Sequence, residues 1–397
     1  MFEKEPFFKI EKEEEAGEEV EEEKEKTEIA PESRNEKIEI GDFVLEPVDR
    51  EANRFHFLQN LTEWHHSCSE EDNRIWKKEV GEFTEKEKET IEDFKKILEI
   101  EKYSQWNEKG LVSIYTTSGS PEERTERLEE NVSGKDRETI EKCFSIMETP
   151  FSRIWEKNEP RLLKARQEFI EKLERFETSD KKRQLEEDLS NFFGPPEKVE
   201  KLKIFFLMRE FGESGTASLG PEALTLHSLD RAPKLSLLYH EMTHKSWESD
   251  DYKRNVEKVA KSVDKKTVKR LIKIFGYGRD MQHILNESIV GSFLPHGCLA
   301  EKHFPEEKTS LEEVKKIYKT ALETGKIKSP DGRDMSLDQV PERERKRMIS
   351  SILIVSKLAP LSKRYIEEKR MVDESYCQEA LNKILSVAKE LKNQEKE

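Results

Sequence analysis

Apolar positions along this 397-residue chain change their spacing as it proceeds, and the changes predict different kinds of structure. Around "KIEIGDFVLEPV" they alternate, as in a short strand or an ordered lead-in. From there to about 195 the spacing is helical. Ile91, Phe94 and Leu98 fall on one helical face, and Thr84 with Glu87 forms the capping box that starts it. Ser120-Pro121 with Glu123 repeats the start signal, with proline at the first helical position. "TIEKCFSIMETPFSRIWEKNEPRLLKARQEFIEKLERFE" predicts two amphipathic helices, broken near Pro150 or Pro160. Trp64, Trp76, Trp106 and Trp155 are the expected centre of this helical region.

At Gly194-Pro195-Pro196 the pattern changes. "KIFFLM" (203–208) is a short aromatic-rich run that predicts a buried strand, and after a glycine-containing loop "ALTLHS" (223–228) predicts a second. Asp230 and Pro233 then introduce a helix carrying "LSLLYHEMTHKSWESD" (235–250). Beyond 300 the chain is helical again. Ser310 with Glu313 caps one helix, Pro330-Asp331-Gly332 is a turn, and Pro360 interrupts the pattern of "SSILIVSKLAPLSKRYIEEKR". The expected class is α+β and predominantly α-helical. A tail (1–40) precedes a helical domain (41–195), a core with a sheet of two to four strands (196–300) and a helical C-terminal region (301–397).

Charge refines the ends of this picture. Of the net −15, residues 1–40 carry −9, from 16 Asp/Glu against 7 Lys/Arg. Like charges repel and little there is apolar enough to bury, so a disordered tail is expected, either a solubilising extension or an arm for a partner. The remainder is mildly acidic and well mixed. It has no concentrated basic surface, so nucleic acid is not an expected partner. Cys68, Cys143, Cys298 and Cys377 form no CxxC pair, and free thiols are expected. No run of about 18 apolar residues predicts a membrane span, and the first residues lack the apolar stretch of a secretory signal. A cytoplasmic location is the expectation.

The chemistry concentrates in "HEMTH". Positions i and i+4 of a helix share a face, so His240 and His244 can offer two imidazole nitrogens to one ion. Glu241, turned about 100° from His240, sits beside that ion and suits a base acting on water held there. Zinc accepts nitrogen and oxygen ligands tetrahedrally and leaves one position for water, which ionises near neutrality. Composition alone would produce about 0.04 such matches in a chain of this length. A catalytic zinc takes a third protein ligand. Glu287, in "DMQHILNESIVGSF" (280–293), is favoured because Asn286-Glu287 is a polar insertion in an apolar helix capped by Asp280. Gly291 would let that helix pack closely on the first. Asp250 is the alternative. A sharp turn after the second histidine would be needed to bring it in, yet Trp247 stands where glycine would serve.

"HEMTH" with a downstream "NESIVG" resembles the gluzincin group of zinc metallopeptidases over residues 203–297, about a quarter of the chain. The resemblance implies that His240, His244 and Glu287 bind one Zn²⁺ and that Glu241 is the catalytic base in peptide-bond hydrolysis. It also implies that strand 223–228 is the sheet edge on which an extended peptide or protein substrate lies. Lys245 and Ser246 depart from the usual uncharged, then apolar, residues after the second histidine. Such enzymes stabilise the oxyanion with a Tyr or His, for which Tyr277, His283, His296 and Tyr365 qualify by type. His227 reads as a rim residue, Trp247 as core, and His65-His66 with Cys68 lacks a further ligand at finger-like spacing. The other class consistent with these residues is a helical protein-interaction module, or a zincin-fold protein without catalysis.

Overall fold

The alternation near residue 40 folds into a hairpin. Strands β1 (Ile38–Ile40) and β2 (Phe43–Leu45) pair antiparallel about Gly41, whose φ of +56° suits glycine. These and the following observations come from a computed structural model that describes residues 35–65, 67–197, 201–217, 219–220, 222–307, 320, 324–328, 334–336 and 340–394. Most of the expected acidic tail, the Ser310 cap, the 330–332 turn and His66 lie outside the described residues.

Helices α1 (Arg50–Leu61), α2 (Glu70–Val80), α3 (Glu85–Leu98), α4 (Leu111–Thr116) and α5 (Pro121–Asn131) follow. The Thr84 capping box and the Ser120 cap are both present. The predicted break at proline is not. Helix α6 runs unbroken from Gly134 to Glu177 through Pro150 and Pro160. Each internal proline costs about 3 kcal/mol. The buried stripe of Phe144, Met147, Phe151, Ile154 and Trp155 offsets that, at about 1.5–3 kcal/mol for each fully buried large apolar side chain. Arg166, fully buried on α6, donates to the carbonyls of Leu45 and Glu46, both at 3.1 Å, and fastens the helix to the end of β2. Trp76 and Trp155 are buried as expected, whereas Trp64 and Trp106 are only partly so.

After α7 (Asp180–Phe193) come β3 (Leu202–Leu207), β4 (Ser214–Thr216) and β5 (Ala223–His227). The five strands form one mixed sheet in the order β1-β2-β3-β5-β4. The β2/β3 and β3/β5 pairs are parallel; the others are antiparallel. One expectation is corrected here. The strand at 223–227 is not the edge, because β3 and β4 flank it on both sides; the edge is β4. Its Ser-Gly-Thr sequence has no apolar alternation, so it reads as a loop. Ile204↔Leu224 and Phe206↔Leu226 set the β3/β5 register, and the near-continuous apolar run of β3 is what a strand covered on both faces requires.

Most of the remaining described residues are helical: α8 (Leu235–Met242), α9 (Asp250–Ala260), α10 (Lys265–Phe275), α11 (Met281–Gly291), α12 (Cys298–His303), α13 (Glu342–Glu367) and α14 (Glu374–Gln394). A small hairpin, Lys326–Lys328 with Asp334–Ser336, precedes α13. Pro360 lies inside α13 rather than interrupting it. Buried apolar residues form a continuous cluster from Ile40 to Ala388. The cysteines are free. No helix among the described residues is long and apolar enough to cross a membrane.

Asp72 gives this core a pH dependence. It is 1% exposed on α2 and accepts from the Phe211 amide at 2.9 Å. Burial, opposed in part by Arg209, pushes its carboxyl up to about 7. The folded chain therefore holds a proton that the unfolded chain, with an Asp near 3.9, has released, and stability falls as pH rises from about 4 to 7. Asp72→Asn keeps the acceptor and removes that penalty. It is expected to raise stability by roughly 2–4 kcal/mol at pH 8 and hardly at pH 4, as read by urea unfolding at both values.

Candidate metal centre

The helix carrying the motif is built to be inside. Every residue of α8 from Leu235 to Met242 is buried, so its first amide groups need partners from elsewhere in the fold. Glu307 supplies them. Its carboxylate accepts from the Leu235 amide (2.6 Å), the Ser236 amide (3.1 Å) and the Ser236 hydroxyl (2.7 Å). Negative charge at this end also suits the helix dipole. Asp230, expected to start the helix, pairs instead with Arg161. Past Met242 the helix widens into a π-turn, Thr243–Trp247, which carries His244. Such turns interrupt α-helices frequently at functional positions. Trp247 anchors its end in the core, with Nε1 donating to Ser190 Oγ at 3.2 Å.

His240, His244 and Glu287 meet. The two Nε2 atoms stand 3.3 Å apart. Glu287 straddles them, with Oε2 3.7 Å from His240 Nε2 and Oε1 3.6 Å from His244 Nε2. Ligands about 2.1 Å from a tetrahedral ion lie about 3.4 Å from one another, so the spacing fits. Among the described residues this is the group of acidic, His or Cys side chains placed to hold a metal. Asp250 is exposed at the start of α9 and stands outside it.

The outer nitrogens decide what the inner ones can do. His240 Nδ1 lies 2.8 Å from the carbonyl oxygen of Leu294, which can only accept, so Nδ1 carries the hydrogen. His244 Nδ1 is bonded to the Glu248 carboxylate, which also accepts from Asn286 Nδ2 at 2.6 Å; Tyr252 in turn donates to Asn286 Oδ1. With each Nδ1 committed outward, the two Nε2 atoms are the ones turned toward each other, where they could share one ion. Carboxylate partners on the far nitrogen are what metal-binding histidines use to fix their tautomer. Glu248→Ala is expected to weaken zinc binding about 10–100-fold, measured by competition with a chelating dye.

Charge in the group is tightly shared. Burial opposes ionisation throughout, yet His244, His240 and His283 hold the Glu287 carboxyl well below the usual range. Burial would lower His244 as well, but Glu287 and Glu248 lift it well above its ordinary value. His283 Nδ1 accepts from the Arg279 amide at 3.2 Å, so its Nε2 carries hydrogen toward Glu287 Oε1, 3.4 Å away. It supports the carboxylate and is not placed as a ligand.

Glu241 is 8% exposed, and burial raises its carboxyl above the usual range against the pull of His240 and His244. Its side chain lies on β4, where a Cβ at Gly215 would fall 2.5 Å from Glu241 Cγ. Glycine at 215 is therefore what lets the edge strand pass. Lys245, the unexpected charge after the second histidine, also has a physical reason. Its ammonium donates to the carbonyls of Ala217 (2.7 Å), Gly220 and Ala223 (3.1 Å), tying the β4–β5 connection to the π-turn.

Of the remaining candidates, one stays near the group and the others lie elsewhere. Tyr277 lies beside Ser288 next to Glu287, with burial pushing its hydroxyl up to about 12. His296 sits half-buried after α11. Tyr365 is turned away, packed on Phe192 and Tyr376 with its hydroxyl near Asp373 (3.4 Å) and Arg370 (3.0 Å). Gly291 faces Val355 on α13 rather than α8. His65 stacks near Trp64 and Trp106, and Cys68 is buried. Glu248 was missed, although its i+4 spacing from His244 signals a shared face. Compared with family models, with curated proteins and with solved structures, the chain matches none.

Proposed function

We propose that this chain is a zinc-dependent peptidase of the gluzincin type, with His240, His244 and Glu287 as ligands and Glu241 as the general base. The observation that carries the reading is the pair of Nε2 atoms 3.3 Å apart, each with its Nδ1 already committed, closed on the third side by Glu287. Zinc, when bound, supplies a Lewis acid that makes a water acidic and polarises a carbonyl. Glu241 takes the proton of the attacking water and passes it to the leaving amine, a role that its raised carboxyl and its place one residue from His240 support. The edge strand β4 offers main-chain groups to an extended peptide on the side that β5 does not occupy.

Chelation tests this as a whole. The protein as purified is expected to hold about one zinc per chain and to cleave members of a mixed peptide library. Dialysis against phenanthroline should abolish cleavage, and added zinc should restore it. Stoichiometric zinc with no cleavage across the library would favour the zincin-fold protein without catalysis. No zinc would favour the interaction module.

A further inference from the structure

A second feature lies across the edge strand β4 from Glu241. Gly215, against which Glu241 packs, also lines a cavity of about 70 Å³ between α1, α4 and the β4–β5 edge. At roughly 10–15 Å³ for each water-sized group, it has room for about five, the number of heavy atoms in a glutamate side chain. Four of its buried polar atoms have no hydrogen-bond partner among the described residues: His56 Nε2, Gln59 Oε1, Trp106 Nε1 and His227 Nδ1. His56 and Gln59 are more than nine-tenths buried. Leaving such atoms unpaired costs about 1–3 kcal/mol each, so the cavity is shaped for something polar.

The charge of the walls says what. In a chain with 86 Asp/Glu against 71 Lys/Arg, no carboxylate among the described residues lines this cavity, and its charged residues there are Arg209 and Arg347. Neither arginine is ion-paired among the described residues. Arg209 spends Nε on the Phe211 carbonyl (2.8 Å) and one terminal nitrogen on Ser214 Oγ (3.1 Å), leaving the other free. The nearby acid Asp72 faces Arg209 from outside the lining, and burial holds its carboxyl up to about 7, which limits the counter-charge it supplies. Arg347 stands exposed at the mouth, close enough to Glu344, Glu287 and Glu241 to feel all three without forming an ion pair among the described residues. The two histidines are neutral, since burial lowers both. His227 Nε2 and Thr225 Oγ1 share a hydrogen bond (3.2 Å).

We propose that this cavity receives the carboxylate of an acidic residue adjoining the scissile bond, held by Arg209 and Arg347 with Trp106 Nε1 as a further donor. The substrates are then peptides with glutamate at that position. This rests on the peptidase reading for its place in catalysis but not for its ability to bind. Planar guanidinium–carboxylate pairing supplies the selectivity, which glutamine cannot reproduce.

The test uses the full chain carrying Glu241→Gln, so that peptides bind without turnover. Blocked alanine pentapeptides with a central glutamate or glutamine are titrated calorimetrically. The glutamate peptide is expected to bind roughly tenfold tighter or more, and Arg209→Gln or Arg347→Gln should each reduce that ratio to near unity. Arg347 makes no side-chain hydrogen bond among the described residues, so its variant keeps the test open if the Arg209 variant fails to fold. Equal affinity for the two peptides, or a ratio that both arginine variants leave intact, overturns the proposal. Cleavage by the parent enzyme with no preference for glutamate overturns it too and leaves the peptidase standing. Glutamate-selective binding by a chain that holds no zinc upholds the cavity and overturns the peptidase.

Discussion

Glu241→Gln is expected to lower peptide hydrolysis by about 10²–10⁴-fold while the zinc content stays unchanged. Glutamine has the size of glutamate, so it fills the same space against Gly215 and disturbs neither histidine. It cannot accept a proton from water, and that is the loss being measured. Because Glu241 is buried and its carboxyl is raised by that burial, the neutral side chain also relieves a desolvation cost. The variant should therefore unfold at the same or a higher urea concentration than the parent. A drop in activity accompanied by lost stability would point to misfolding. Activity within tenfold of the parent would remove Glu241 from the base position.

Glu287→Ala is expected to weaken zinc binding by more than the roughly 100-fold that a supporting residue can cost. Asp250→Ala should leave zinc in place. The argument is geometric: Glu287 faces both Nε2 atoms at 3.6 and 3.7 Å, whereas Asp250 is exposed at a helix start and outside the group. Two histidines alone leave half of a tetrahedral ion open to water and give up the negative charge that sits against His244. Metal content after passage over a chelating resin separates the cases. Zinc retained without Glu287 and lost without Asp250 would reverse the assignment of the third ligand.

Much of this was legible in the sequence because local chemistry wrote it there. The Thr84, Ser120 and Asp280 caps act within three residues of themselves, and the i,i+4 histidines share a face whatever surrounds them. Asn286-Glu287 also stood out as polar residues in an apolar helix, and both are used. What escaped is long-range. Helix α6 survives its prolines because of what covers it. The start of α8 is satisfied by Glu307, more than seventy positions away, rather than by Asp230. Strand β4 is a strand because β5 lies beside it, and Lys245 has carbonyl partners only once the 217–223 connection folds over it.

The parallel pairing of β2 with β3, Phe43 against Leu202, joins points separated by nearly 160 positions. Closing so large a loop is slow, since its entropy is spent before any contact returns stability. The platform under the two histidines is thus laid late. A ribosome must finish more than half of the polypeptide before those strands have their full set of neighbours, and on the proposed zinc reading metal capture would follow that assembly instead of nucleating it.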